Sequence, residues 1–170
     1  DGEKGFGNAH LLPRGPLREP LSGMKRADIF LLTKASSDTG RIADSIMDKQ
    51  PEAALFKSSY RPESVISLRD GAKTGLDAIS GHKVTALSAI ANPSSFITLL
   101  SSLGCTLVSE VSFPDHHSYT AKDMEGIEEK ARAAGAEFIV TTEKDAVKIE
   151  WFKDKMGMPI YYLEIGLNMN

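Results

Sequence analysis

Lys83-Val84-Thr85-Ala86-Leu87-Ser88-Ala89-Ile90, followed at once by Asn92-Pro93 and residues 94–103, is the stretch that decides the fold. Its first part is a short, largely apolar run, the pattern of a strand covered on both faces. Pro93 suits a first helical position, where its missing N–H leaves nothing unpaired. Phe96, Leu99, Leu100 and Leu103 then recur at helical spacing, and Gly104 ends the helix. Residues 106–113 alternate as a second strand. Strand, helix and strand in that order make one crossover unit.

The same alternation extends outward. Upstream, residues 27–33 read as a buried strand, and 39–49 as a helix with Ile42, Ala43, Ile46 and Met47 on one face, closed by Pro51. Residues 53–59 and 64–68 read as two further strands, with a turn over 70–75. Downstream, Thr120 with Asp123 three residues later predicts a capping box. The helix it opens runs to Ala134 and ends at Gly135. Residues 138–141 read as a strand, 142–145 as a tight turn, and 160–165 as a closing strand. The fold class expected is therefore α/β, layered, with a largely parallel sheet. Such sheets bind ligands beyond the carboxyl ends of their strands.

Composition narrows the function classes. At 170 residues the chain has the length of one domain, or one and a half at most. Twenty Lys plus Arg against 23 Asp plus Glu give a net charge of −3, which argues against a broad nucleic-acid footprint. No apolar run reaches the roughly 18 residues that a membrane-crossing helix needs. The single Cys105 forms no internal disulfide and builds no zinc site alone, in keeping with a reducing compartment. The chain opens on Asp1-Gly2, a pair that normally closes a strand or makes a turn, so it reads as a piece of something longer.

Three segments carry candidate chemistry. Residues 1–21 are dense in Gly and Pro and read as an active-site loop; Arg14 and Arg18 can clamp an anion there, and Glu19 a hydrated Mg²⁺. Asp1, at a strand end, has the form of another Mg²⁺-binding carboxylate. In Phe113-Pro114-Asp115-His116-His117-Ser118-Tyr119, two histidines sit beside an aspartate just after a strand, where a carboxylate can fix a tautomer and raise basicity. The bland alternative is an aspartate cap with surface histidines. Thr141-Thr142-Glu143-Lys144-Asp145 offers a Lys and an Asp at a strand edge, and equally makes an ordinary helix N-terminus. No G-x-x-x-x-G-K-[ST] phosphate loop and no G-x-S-x-G elbow occurs.

Taken together, longer blocks say more. Gly5-Phe6-Gly7-Asn8, Leu11-Leu12-Pro13-Arg14-Gly15-Pro16-Leu17-Arg18-Glu19-Pro20, Arg26-Ala27-Asp28, Asn92-Pro93 with Phe96, Phe113-Pro114-Asp115-His116-His117 and Thr142-Glu143-Lys144-Asp145-Ala146-Val147-Lys148 follow one another in order. In this the chain resembles the C-terminal half of the tetraacyldisaccharide 4′-kinases, the lipid A 4′-kinase family, across nearly all of residues 1–170. The resemblance implies a P-loop-kinase-like fold of which only the C-terminal portion is present. The phosphate loop, a D-D-G-F-Q segment and a membrane-associating helix would precede Asp1. It implies ATP and Mg²⁺ as cofactors, a tetraacylated glucosamine disaccharide 1-phosphate as acceptor at its 4′-hydroxyl, and work at the cytoplasmic face of the bacterial inner membrane. By the same resemblance, His116 matches the catalytic histidine, with Asp115 beside it. Glu19 matches a glutamate near Mg²⁺ or nucleotide, and Lys144 and Asp145 match a block with a nucleotide-side or structural role. Facing Arg14 and Arg18 toward substrate phosphates is an inference from charge alone.

The family's usual G-I-G-N-P reads Ala89-Ile90-Ala91-Asn92-Pro93 here, and Asn8 is followed by Ala9 where glycine is common. Alanine resists positive φ, so these positions either pack closely or shape an altered turn. The competing expectations are a non-catalytic lipid- or nucleotide-binding domain, and a related P-loop kinase with a different acceptor.

Overall fold

The computed structural model describes residues 1–2, 4–35 and 39–169. The chain forms two compact units, one of residues 1–61 and 166–170 and one of residues 62–165, where its length alone reads as one domain or slightly more.

In the first unit, residues 1–20 are a chain of turns rather than a helix or strand, tied by Gly5 N–H to Asp1 O (3.0 Å), Leu12 N–H to Leu17 O (2.9 Å) and Leu17 N–H to His10 O (3.1 Å). A 3₁₀ segment, Leu21–Arg26, leads into β1 (Ile29–Leu32). Helix α1 (Gly40–Lys49) buries Ala43 and Ile46, two of the four residues its periodicity offered. Strand β2 (Ala54–Ser67) begins beside β1, in parallel register from Ile29↔Ala54 to Leu32↔Lys57.

The sequence predicts two strands where β2 is one. The Tyr60-Arg61-Pro62-Glu63 segment reads as a break because proline cannot donate to a ladder. Here Pro62 falls between the stretch paired with β1 and the stretch at Val65 and Ile66 paired antiparallel with β3 (Lys73–Thr74), so it interrupts neither.

The second unit follows the expected alternation: β4 (Lys83–Ser88), α2 (Pro93–Ser102), β5 (Thr106–Ser112), α3 (Ala121–Ala133), β6 (Phe138–Thr142), α4 (Glu143–Ile149) and β7 (Ile160–Met169). Its strand order is β2-β7-β6-β4-β5; β4 pairs in parallel with β5 and β6, and β6 with β7. The sheet is thus mostly parallel, as expected.

Strand alternation sorts its core onto two faces. Val84, Ala86, Phe138 and Val140 join Phe96 and Leu100 of α2 in one cluster. Leu87, Ala89 and Ile139 join Met124, Ile127 and Ala131 of α3 and Ile149 of α4 in the other. Leu87, Leu100, Ile127 and Ile139 are almost fully buried, each such side chain contributing roughly 1.5–3 kcal/mol.

The predicted ends hold closely where caps were legible. Thr120 accepts the Asp123 N–H through its hydroxyl while the Asp123 carboxylate takes the Thr120 N–H, a complete capping box. Of the two readings of residues 142–145, a tight turn and a helix N-terminus, the second holds. These residues start α4 instead of closing a turn, with Thr142 as N-cap accepting the Asp145 N–H at 3.2 Å.

Candidate active site

In the second unit the parallel strands β4, β5 and β6 all end at the same edge, and the polar loops leave from there. Beyond β5, Phe113 N–H donates to Ser88 O (2.9 Å), and the chain turns at 114–117 with His117 N–H on Pro114 O (3.1 Å). Beyond β6, α4 starts one residue later and projects Lys144 toward that turn.

The two loops meet at Asp115. Its Oδ1 accepts from Lys144 Nζ at 2.7 Å and from the His116 N–H at 3.0 Å, while Oδ2 lies 3.6 Å from His116 Nε2. The Lys144 ammonium, first among the causes, holds the Asp115 carboxyl below the usual carboxylate range. His116 is 78% exposed in its side chain and adopts φ 65°, a left-handed backbone that few non-glycine residues take. Asp115, His116 and Lys144 are thus brought together as an exposed cluster: a base, a carboxylate beside it and a cation.

Asp145 is placed differently from its neighbour. It is completely buried; Oδ2 accepts from the Ala89 N–H (2.9 Å) and the Thr142 hydroxyl (2.8 Å), and Oδ1 from Lys148 Nζ (2.9 Å). A carboxylate so enclosed ties the end of β4 to the start of α4 and presents no oxygen to a ligand. Of the two roles open to it, nucleotide-side or structural, the geometry supports the structural one. Neither Ala89 nor Ala91 has a positive φ, so alanine is unstrained at both, and Ala89 is buried against the second core cluster. Tyr119, buried nearby under Lys148 Nζ at 5.9 Å, has its hydroxyl pushed well up by burial and by the Asp145 charge.

In the first unit, Asp1, Arg18 and Glu19 line one hollow of about 360 Å³, whose walls are mostly apolar: Phe6, Leu17, Phe30, Ile42 and Ile46 among them. Each carboxylate already has a cation. Asp1 Oδ2 lies 3.3 Å from Lys34 Nζ, and Glu19 pairs with the Arg26 guanidinium. Arg14 is exposed outside this hollow, with its carbonyl accepting from Asn8 Nδ2 at 2.9 Å. Lys34 and Arg26 escaped the sequence reading. Arg26 lies in a recognised block and could have been found there; Lys34 carries no local signal beyond following a strand.

The family profile described as Tetraacyldisaccharide-1-P 4′-kinase matches residues 1–170. This chain belongs to that family. Among curated relatives, the tetraacyldisaccharide 4′-kinase of Syntrophus aciditrophicus is 35% identical over 99% of this chain and 48% of its own length. That of Desulfatibacillum aliphaticivorans is 37% identical over 98% and 46%. The chain thus spans about half the length of the curated relatives it matches. Among solved structures, the "apo" form of LpxK from Aquifex aeolicus in complex with ATP superimposes with a TM-score of 0.62, at 22% identity, over 96% of this chain and 45% of that one. The fold is that of this family, α/β with a mostly parallel sheet.

Among the described residues no three His, Cys, Asp or Glu side chains cluster as a metal site. Mg²⁺ does not need such a cluster, because it usually takes one or two carboxylates, with phosphate oxygens and water filling its shell. Asp1 and Glu19, on one hollow, meet that lower requirement.

Proposed function

We propose that this chain, as part of the longer protein of its family, transfers the γ-phosphate of ATP to the 4′-hydroxyl of a tetraacylated glucosamine disaccharide 1-phosphate. The observation that carries the proposal is His116, exposed and held beside Asp115 by the Lys144 ion pair at the carboxyl edge of β5 and β6. With Nε2 turned to the Asp115 carboxylate, Nδ1 is the nitrogen to accept the hydroxyl proton. In the transfer the O–H bond of the sugar breaks and its proton passes to the imidazole. The sugar oxygen bonds to the γ-phosphorus, and the bond to the β–γ bridging oxygen breaks with its electron pair, leaving ADP. Phosphoryl transfer draws most of its acceleration from positioning and charge neutralisation, so the imidazole contributes a share of it.

Asp1 and Glu19 are the carboxylates to hold Mg²⁺, which would neutralise phosphate charge; Arg18 on the same hollow, and Arg14, are the cations for phosphate oxygens. Lys144 serves the site through Asp115. The acceptor is a lipid, which supports placement at the cytoplasmic face of the inner membrane. No helix among the described residues is long and apolar enough to cross a membrane.

The test is transfer of labelled γ-phosphate from ATP to the tetraacylated disaccharide 1-phosphate by the full-length protein, against His116→Ala. Labelled product that falls by about 10²–10⁴-fold in the variant is expected. A well-folded full-length protein that makes no product would leave a binding role, or a different acceptor, as the reading to pursue.

A further inference from the structure

The second histidine of the loop is built in more firmly than the first. The His117 ring stacks on Phe113 at 4.3 Å and 13°, and meets the edge of Tyr119 at 5.2 Å and 87°. Its Nε2 lies 3.2 Å from Asp123 Oδ2. That same oxygen accepts the Thr120 N–H and the Thr120 hydroxyl, both at 2.8 Å, so one atom serves the helix cap and the imidazole. Asp123 sits below the usual carboxylate range, chiefly through the Thr120 N–H, with His117 a smaller cause.

Phe113 and His117 bracket Pro114, Asp115 and His116. Phe113 is fixed to β4 through Ser88, and His117 is fixed to the first turn of α3 through Asp123. A non-glycine residue stays at a left-handed φ only where its surroundings over-determine it. Here that is the short span between two anchored rings, closed by the His117–Pro114 and Lys144–Asp115 bonds.

We propose that His117 is a positioning residue for His116, acting through its Nε2–Asp123 hydrogen bond, which holds residue 116 in the left-handed conformation that presents its imidazole. This rests on the kinase reading above. The carboxylate also fixes the tautomer: neutral His117 carries its proton on Nε2 and donates it to Oδ2. With that bond gone, residue 116 relaxes toward the ordinary negative-φ region and its ring leaves the place set beside Asp115.

Two variants of the full-length protein separate the hydrogen bond from the ring stack. His117→Phe keeps a ring for Phe113 and loses the donor; His117→Gln returns a donor near Nε2 without the ring. Expected is a kcat lowered about 10- to 100-fold in His117→Phe at unchanged KM for ATP, with most of it recovered in His117→Gln. A wild-type kcat in His117→Phe, or equal losses in both variants, overturns the proposal. NMR gives a readout that needs no activity. Imidazole ¹⁵N shifts should show the Nε2–H tautomer at His117, and the backbone shifts and couplings at residue 116 should leave their left-handed values in His117→Phe. Unchanged values at residue 116 overturn the proposal. If wild-type protein transfers no phosphate while these NMR expectations hold, the kinase reading fails and the positioning role stands.

Discussion

Ala9 lies at φ 59°, in the left-handed region where a Cβ crowds the following carbonyl. Glycine is common at this place in the family resemblance, and the structure supplies the reason. Ala9→Gly is expected to raise stability by about 1 kcal/mol, read from denaturant midpoints. Lys148 poses the opposite case: its ammonium, 24% exposed, faces a carboxylate with no exposure at all. Lys148→Met leaves that charge buried with only neutral donors and is expected to cost about 3 kcal/mol in the same measurement. The first effect was legible, since alanine stands where glycine is common; the second was not. Thr-Glu-Lys-Asp reads identically whether its aspartate faces water or the interior, and only the Ala89 N–H, a long way off in sequence, decides that Asp145 turns inward. By contrast, Asp115 and His116 were legible as a pair, because they are adjacent and follow a strand.

At the scale of elements, caps and carboxylates set the expected responses. Thr120→Ala removes the hydroxyl that caps α3 and should cost about 1 kcal/mol. Asp115, Asp123, Glu137 and Glu164 all have their carboxyls lowered, by Lys144, Thr120, the Lys83 N–H and Lys73 respectively in first place. A lowered folded-state pKa means stability that is present above the ordinary carboxylate range and is lost as pH falls through the lowered value. The melting temperature should therefore hold down to about pH 5 and drop below about pH 4. The Lys73–Glu164 pair is also lost at the other extreme, as pH rises past the raised value of Lys73. Helices with caps and strands within one crossover were read nearly to their ends. Strand β2 was not, since a proline harmless between two sets of partners looks the same in sequence as a proline that ends a strand. The start of α4 was legible as one of two readings, a turn or a helix N-terminus, because seven residues hold too little periodicity to decide between them. Just past it, Trp151, the chain's one tryptophan, is 87% exposed. Its fluorescence should report full solvation and be quenched freely by a soluble quencher in the native protein.

For the whole molecule, the α/β class and parallel order were legible because strand–helix alternation is a repeated signal, while the division into two units was not. A boundary that passes through strands, within β2 and again within β7, leaves no linker composition to read. Both core clusters lie inside the second unit, between residues 65 and 165. Residues 62–165 alone are therefore expected to unfold in a single cooperative transition by circular dichroism; a broad, gradual melt would show that the clusters are insufficient.

This division also sets an order of events during synthesis. The longer part of the first unit precedes the second, but its last piece, residues 166–170, follows it. On the ribosome the second unit can close as soon as its part of β7 has emerged, whereas the first must wait with its β1–β2 pair incompletely furnished. Folding of these two units along the growing chain thus runs inside out, with residues 62–165 finished before the residues translated just ahead of them.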